Sequence, residues 1–140
     1  MAVVAPSSIL GTVWSNNRPG ARRSLCEGLK ALLVKQFAEL DAIYWGSINV
    51  WLDEALEFRP DLETPPIEWK AWFDPNWPPE VFRFQRIKFQ YPEDGWVYDK
   101  AWIWWPSLNH KLDEFSIEIV AEEVSGLKSD TRCRIIVPQS

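Results

Sequence analysis

The sequence predicts an α+β fold: an antiparallel, curled sheet of about five to six strands packed on one long N-terminal helix. Three observations predict it. Leu25, Leu29, Leu32, Leu33, Phe37, Leu40 and Tyr44 recur at three- and four-residue intervals, which makes one apolar helix face. Residues 95–106, GWVYDKAWIWWP, hold four of the ten Trp residues and alternate at period two with apolar side chains on both faces, as a central strand does. Further alternating runs, separated by Pro and Gly turns, follow the helix and do not interleave with others.

The elements follow in chain order. Residues 8–14, SILGTVW, are apolar and partly β-branched and predict a first strand; residues 16–23, with Asn16-Asn17 and Pro19-Gly20, predict a surface loop. Ser24 and Glu27 form a capping-box pair at the start of the long helix, and Gly46 is placed to end it. Residues 48–58 fit two patterns, a second short helix capped by Asn49 or a strand over 48–52. Pro60, Pro65 and Pro66 then predict a loop. Residues 67–73 alternate as a half-buried strand, and Asn76-Trp77-Pro78-Pro79 forms a rigid loop carrying Trp77. Residues 81–91 form the next strand, with a bulge expected near Gln85 where its apolar positions change parity. Residues 92–95, PEDG, turn the chain into the central strand, with Gly95 expected at positive φ. On that strand Trp96, Tyr98, Trp102 and Trp104 are expected on one face. Two more strands, over 115–122 and 133–137, complete the sheet. At 140 residues the chain reads as a single domain, 1–140.

Composition narrows the function. Hydrophobic residues make up 46% and charged residues 25%, the profile of a globular domain rather than a disordered one. No apolar run approaches the roughly 20 residues of a membrane helix. The first ten residues lack a basic stretch ahead of an apolar run, so no secretory signal is expected. With only Cys26 and Cys133, a disulfide framework is not expected, and two reduced thiols fit a cytoplasmic chain. The net charge of −5 is segregated. Residues 1–38 carry five Lys/Arg and one acid, 39–63 carry seven acids and one Arg, and 113–123 carry five acids and no base. Such tracts repel phosphate and argue against nucleic acid and anionic membrane as partners; a solvated face would also account for them.

No catalytic or metal site is expected. The one His, His110, lies in a polar loop with no nucleophile motif beside it, and two distant Cys with one His fit no zinc spacing. No Gly-rich phosphate loop occurs, and no cofactor is expected. Carboxylate pairs such as Glu93 with Asp94, or Glu122 with Glu123, sit where solvated acids usually do. Protein binding remains. Trp anchors interfaces and carboxylates steer a basic partner, so the candidate partner-binding residues are Asp53, Glu54, Glu57, Asp61, Glu63, Trp77, Trp105, Asp113 and Glu114. Of the Trp residues, Trp77 and Trp105 are expected to reach the surface. Two alternatives stand beside this: a small-molecule or carbohydrate-binding module with an aromatic pocket, and a structural or assembly component.

Trp14 ending a first strand, Arg18 in the next loop, Cys26 opening a long helix and Tyr44-Trp45 near its close resemble the N-terminal half of some immunity proteins of bacterial polymorphic toxin systems. Trp72-Phe73-Asp74-Pro75-Asn76-Trp77 is similar to a Trp-x-Pro-x-Trp element of that group, with one extra residue. The match covers the first third of the chain and this short piece. It implies an α+β fold and a non-enzymatic inhibitor of a cognate toxin, whose basic domain the acidic surface would meet.

Overall fold

The computed structural model describes residues 7–16, 27–44, 46–69, 75–108 and 114–138. Its strands are β1 (Ser7–Asn16), β2 (Ile48–Leu52), β3 (Leu62–Glu63), β4 (Phe82–Tyr91), β5 (Trp96–Pro106), β6 (Ser116–Ala121) and β7 (Thr131–Val137). Six of them close into an antiparallel barrel, β1-β2-β6-β5-β4-β7 and back to β1. β4 makes closure possible because its two halves have different neighbours. Its first half pairs with the short β3 (Leu62↔Phe84), and its second half pairs with β7 (Lys88↔Ile136).

The expected sheet packed on a long helix is therefore corrected. The helix α1 (Glu27–Gln36) stops at Gln36, Phe37 is extended (φ −140°, ψ 104°), and a 3-10 turn follows at Ala38–Ala42. Phe37, Leu40 and Ile43 recur every three residues, the period of a 3-10 turn, which the mixed three-and-four spacing of the sequence concealed. The capping-box Ser24 lies outside the described residues. Residues 48–52 are the strand β2 and not a second helix, and β3 falls in the expected Pro-rich loop. Of the strand expected over 67–73, Ile67 makes a single bridge to Glu80, and 70–74 lie outside the described residues.

The barrel fills itself. Val13, Val50, Ile87, Phe89, Ile103, Ile119 and Ile135 point inward and are essentially inaccessible. Ala101 faces Ala121 across β5 and β6, both fully buried, and such small pairs let a narrow barrel close around its larger side chains. Gly11 on β1 has the same role. A Cβ there would lie 2.7 Å from both the Trp51 carbonyl oxygen and Val50 Cγ1. Gly11→Ala is therefore expected to prise β1 from β2 and lower stability by about 1–3 kcal/mol, read as a reduced denaturation midpoint; an unchanged midpoint would show that the wall gives way.

α1 and the 3-10 turn cover the outside of the barrel, not a concave face. Leu29, Leu33, Leu40 and Ile43 pack on Phe82, Phe84, Trp102, Trp104 and Val120, which project outward from β4, β5 and β6. Period two accounts for β4 without a bulge at Gln85, since Phe82 and Phe84 fall outside and Ile87, Phe89 and Tyr91 inside. The irregularity lies further on. Ile87 pairs with Ala101 but Phe89 with Tyr98, so β5 carries one extra residue over 99–100. That bulge turns Tyr98 toward the barrel core while Trp102 and Trp104 stay outside, and Trp96 is 73% exposed. The four aromatics expected on one face are split.

One end of the barrel is sealed. Val124 is buried there, the Tyr98 hydroxyl accepts the Ser125 N–H (3.2 Å), and the Tyr91 hydroxyl accepts the Lys128 N–H (2.8 Å) and donates to the Gly126 carbonyl (3.2 Å). At the β4–β5 turn the Gly95 N–H donates to the Pro92 carbonyl (2.8 Å), and the Tyr91–Pro92 peptide is cis. Among the described glycines positive φ occurs at Gly46 and Gly126, not at Gly95, which is glycine because a Cβ would sit 2.6 Å from Pro92 Cδ.

Cys133 is unpaired on the inner wall, and burial pushes its thiol up to about 12. In a Cys26→Ser background its alkylation at pH 8 is expected to run about a thousandfold slower than that of a free thiol, because so little thiolate forms. Rapid labelling of the folded protein would show that the wall opens.

Candidate functional site at the open end of the barrel

The opposite end is not sealed. After β2 the chain crosses the barrel mouth, held by three backbone bonds: Leu52 N–H to the Phe115 carbonyl (2.7 Å), Asp53 N–H to the Leu10 carbonyl (2.9 Å) and Leu56 N–H to the Glu114 carbonyl (2.8 Å). Leu56 dips into the core, and the Arg59 N–H donates to the Gln85 side-chain oxygen (2.9 Å), fixing the far side of the crossing. Between these anchors lies a cavity of about 420 Å³ lined by Ala55, Leu56, Glu57, Phe58, Ile103, Trp105, Glu114 and Ile117.

Its parts come from different elements. Ile103 and Ile117, from the inner faces of β5 and β6, form the floor. Phe58 meets Trp105 edge to face, ring centroids 5.4 Å apart at 67°, and the two make an aromatic wall. Glu57 and Glu114 are also among the lining residues, and both are exposed. Glu57 pairs with Arg59 (2.9 Å), but both side chains are about three-quarters exposed (75% and 77%), so water competes strongly for the pair. The carboxylate of Glu114 has no ion pair among the described residues. An apolar floor, an aromatic wall and an anionic rim suit a ligand with an apolar stem and a cationic head.

The structure thus brings together three of the nine candidate residues, Glu57, Trp105 and Glu114. Others are committed within the chain. Asp53 takes the Arg132 guanidinium in a two-pronged contact (Oδ1 to Nη1, 2.9 Å; Oδ2 to Nη2), and these hydrogen bonds hold its carboxyl below the ordinary value of 3.8. Glu63 pairs with Arg83 (2.8 Å), and the Asp61 carboxylate accepts the Arg86 N–H (2.7 Å). Glu54 is exposed beside the mouth crossing, and Asp113 lies outside the described residues. Trp77 is half-buried against the second core, its indole N–H directed at Glu80 (3.4 Å), and Trp105 is half-buried in the mouth. Among the described residues the markedly exposed indoles are Trp96, Trp51 and Trp14, the last two tilted together with centroids 5.6 Å apart.

The Asp53–Arg132 contact has a pH signature. Because the folded carboxyl titrates low, its contribution is present above the ordinary carboxylate pKa and is lost as pH falls through the lowered value. Asp53→Asn is expected to flatten stability against pH below the ordinary carboxylate value of 3.8, read by urea melts along the acid limb. An unchanged acid limb would show the pair to be idle in solution.

Sequence reasoning missed Ala55, Leu56, Phe58, Ile103 and Ile117 as site residues. Leu56 and Phe58 flank Glu57 at i, i+2, an extended pattern hidden by the competing helical reading of 48–58. Among the described residues no group of three His, Cys, Asp or Glu side chains could hold a metal ion, and no helix is long and apolar enough to cross a membrane. No protein-family model matches the chain, and no curated protein matches it.

Proposed function

We propose that the chain is a non-enzymatic protein-binding inhibitor, of the kind that immunity proteins represent, which neutralises a basic toxin domain by covering it with the acidic, aromatic-walled barrel mouth. The observation that carries this reading is the convergence of Glu57, Trp105 and Glu114 on one cavity of about 420 Å³. An aromatic anchor beside carboxylates is the composition of an interface hot spot with electrostatic steering. The buried, unpaired Cys133 fits a cytoplasmic setting in which thiols stay reduced. The test is affinity capture from the source cell with the wild-type chain and with Trp105→Ala as baits, followed by assay of the captured protein's activity. Support is a single basic partner whose activity the wild-type chain abolishes and which the variant fails to hold. No enriched partner, or equal retention by both baits, would overturn it.

The size of the cavity favours one second reading. It falls within the range of small-molecule sites, and its floor is apolar. A saturable change in Trp fluorescence with a glycan or an apolar ligand, in the absence of any protein partner, would select a ligand-binding module instead.

A further inference from the structure

We infer that the barrel mouth is a socket for an arginine side chain presented by the partner. This rests on the protein-binding reading above and names the group the cavity takes. The floor of Leu56, Ile103 and Ile117 offers apolar surface to an aliphatic stem, and the Phe58–Trp105 wall offers aromatic surface to a flat cation. Glu114 supplies a carboxylate with no cationic partner among the described residues, and Glu57 is held only by an exposed arginine.

The chemistry separates arginine from lysine. A guanidinium is planar, weakly hydrated and able to stack on an indole while giving two N–H bonds to a carboxylate. An ammonium is compact and strongly hydrated, and it gives up more water on entering an apolar-floored cavity. Within the chain Asp53, Glu57 and Glu63 each engage an arginine, while Asp99 engages Lys88. Arg59 is a built-in competitor. Its contact with Glu57 is solvent-exposed and easily exchanged, so an incoming guanidinium can take its place.

The experiment titrates the wild-type protein with three pentapeptides, Gly-Gly-Arg-Gly-Gly and its lysine and citrulline counterparts. The indole resonance of Trp105 is followed by ¹⁵N-edited NMR and assigned with Trp105→Phe. Citrulline keeps the shape of arginine and removes the charge. The expected result is a saturable shift of the Trp105 signal in the millimolar range, with the arginine peptide at least about tenfold tighter than the citrulline peptide and tighter than the lysine one. Glu57→Gln/Glu114→Gln is expected to abolish that preference. Equal binding of the arginine and citrulline peptides, tighter lysine binding, or no shift with arginine would overturn the inference, and these comparisons need no variant. The two proposals fail separately. A partner captured through Trp105 with no response to the arginine peptide leaves the inhibitor reading and removes the socket; arginine-selective binding with no partner leaves the socket and removes the inhibitor.

Discussion

Trp104→Ala is expected to lower the unfolding free energy by about 3–5 kcal/mol, a large share of the roughly 5–15 kcal/mol that stabilises a domain. Trp104 is 1% exposed and stacks near-parallel on Phe82 (6.0 Å, 13°) and on Phe84 (6.3 Å, 29°) beneath α1. Removing it leaves a void between helix and barrel that neither wall can close without breaking the β4–β5 ladder. Trp104→Phe is expected to retain most of the stability, for a reason particular to this layer. The indole N–H of Trp104 has no acceptor among the described residues, as is also true of Trp69 and Trp102, so phenylalanine keeps the stacking and deletes an unsatisfied donor. Chemical denaturation of both variants decides the matter. A Phe variant as unstable as the Ala variant would mean that the indole N–H is satisfied in solution.

The second large effect belongs to the mouth. Glu57→Lys with Glu114→Lys is expected to slow association with a basic partner by about 10- to 100-fold at low salt, because steering acts on the encounter rate. The difference should shrink toward 1 M salt, where the screening length falls to about 3 Å. Both side chains lie outside the packed core, so thermal stability should stay within about half a kcal/mol of the parent. Stopped-flow association at several ionic strengths, beside a thermal melt, reads both. A salt-independent loss, or no loss, would mean that the carboxylates do not steer the partner.

Much of the local structure was legible in the residues. The strands β4, β5 and β6, the turn at 92–95 and the break after Pro106 all appear near their expected positions. Closure was not legible. β7 joins β1 on one side and β4 on the other, and period two states which face of a strand is apolar but not which strand lies beside it. The split of the β5 aromatics was hidden for a related reason, since one extra residue at 99–100 inverts the parity of all that precedes it. The helix was overextended because Phe37 and Leu40 continue an α-helical face with Tyr44 and a 3-10 repeat with Ile43 alike. At the site, composition marked Glu57, Trp105 and Glu114 but could not bring them together. They lie on the mouth crossing, on β5 and just before β6, and only the closed ring makes them neighbours.

Ring closure also governs how another molecule can engage this one. Each of the six barrel strands pairs with a neighbour on both sides, the two partners meeting it over different stretches of its length, and the two-residue β3, close to Pro60, Pro65 and Pro66, is too short a template to extend. No described barrel strand therefore presents a full-length open edge onto which an incoming peptide could be stitched. Closure thus shifts recognition toward side chains, where specificity rests on projecting groups that can be exchanged one at a time without disturbing the wall that carries them.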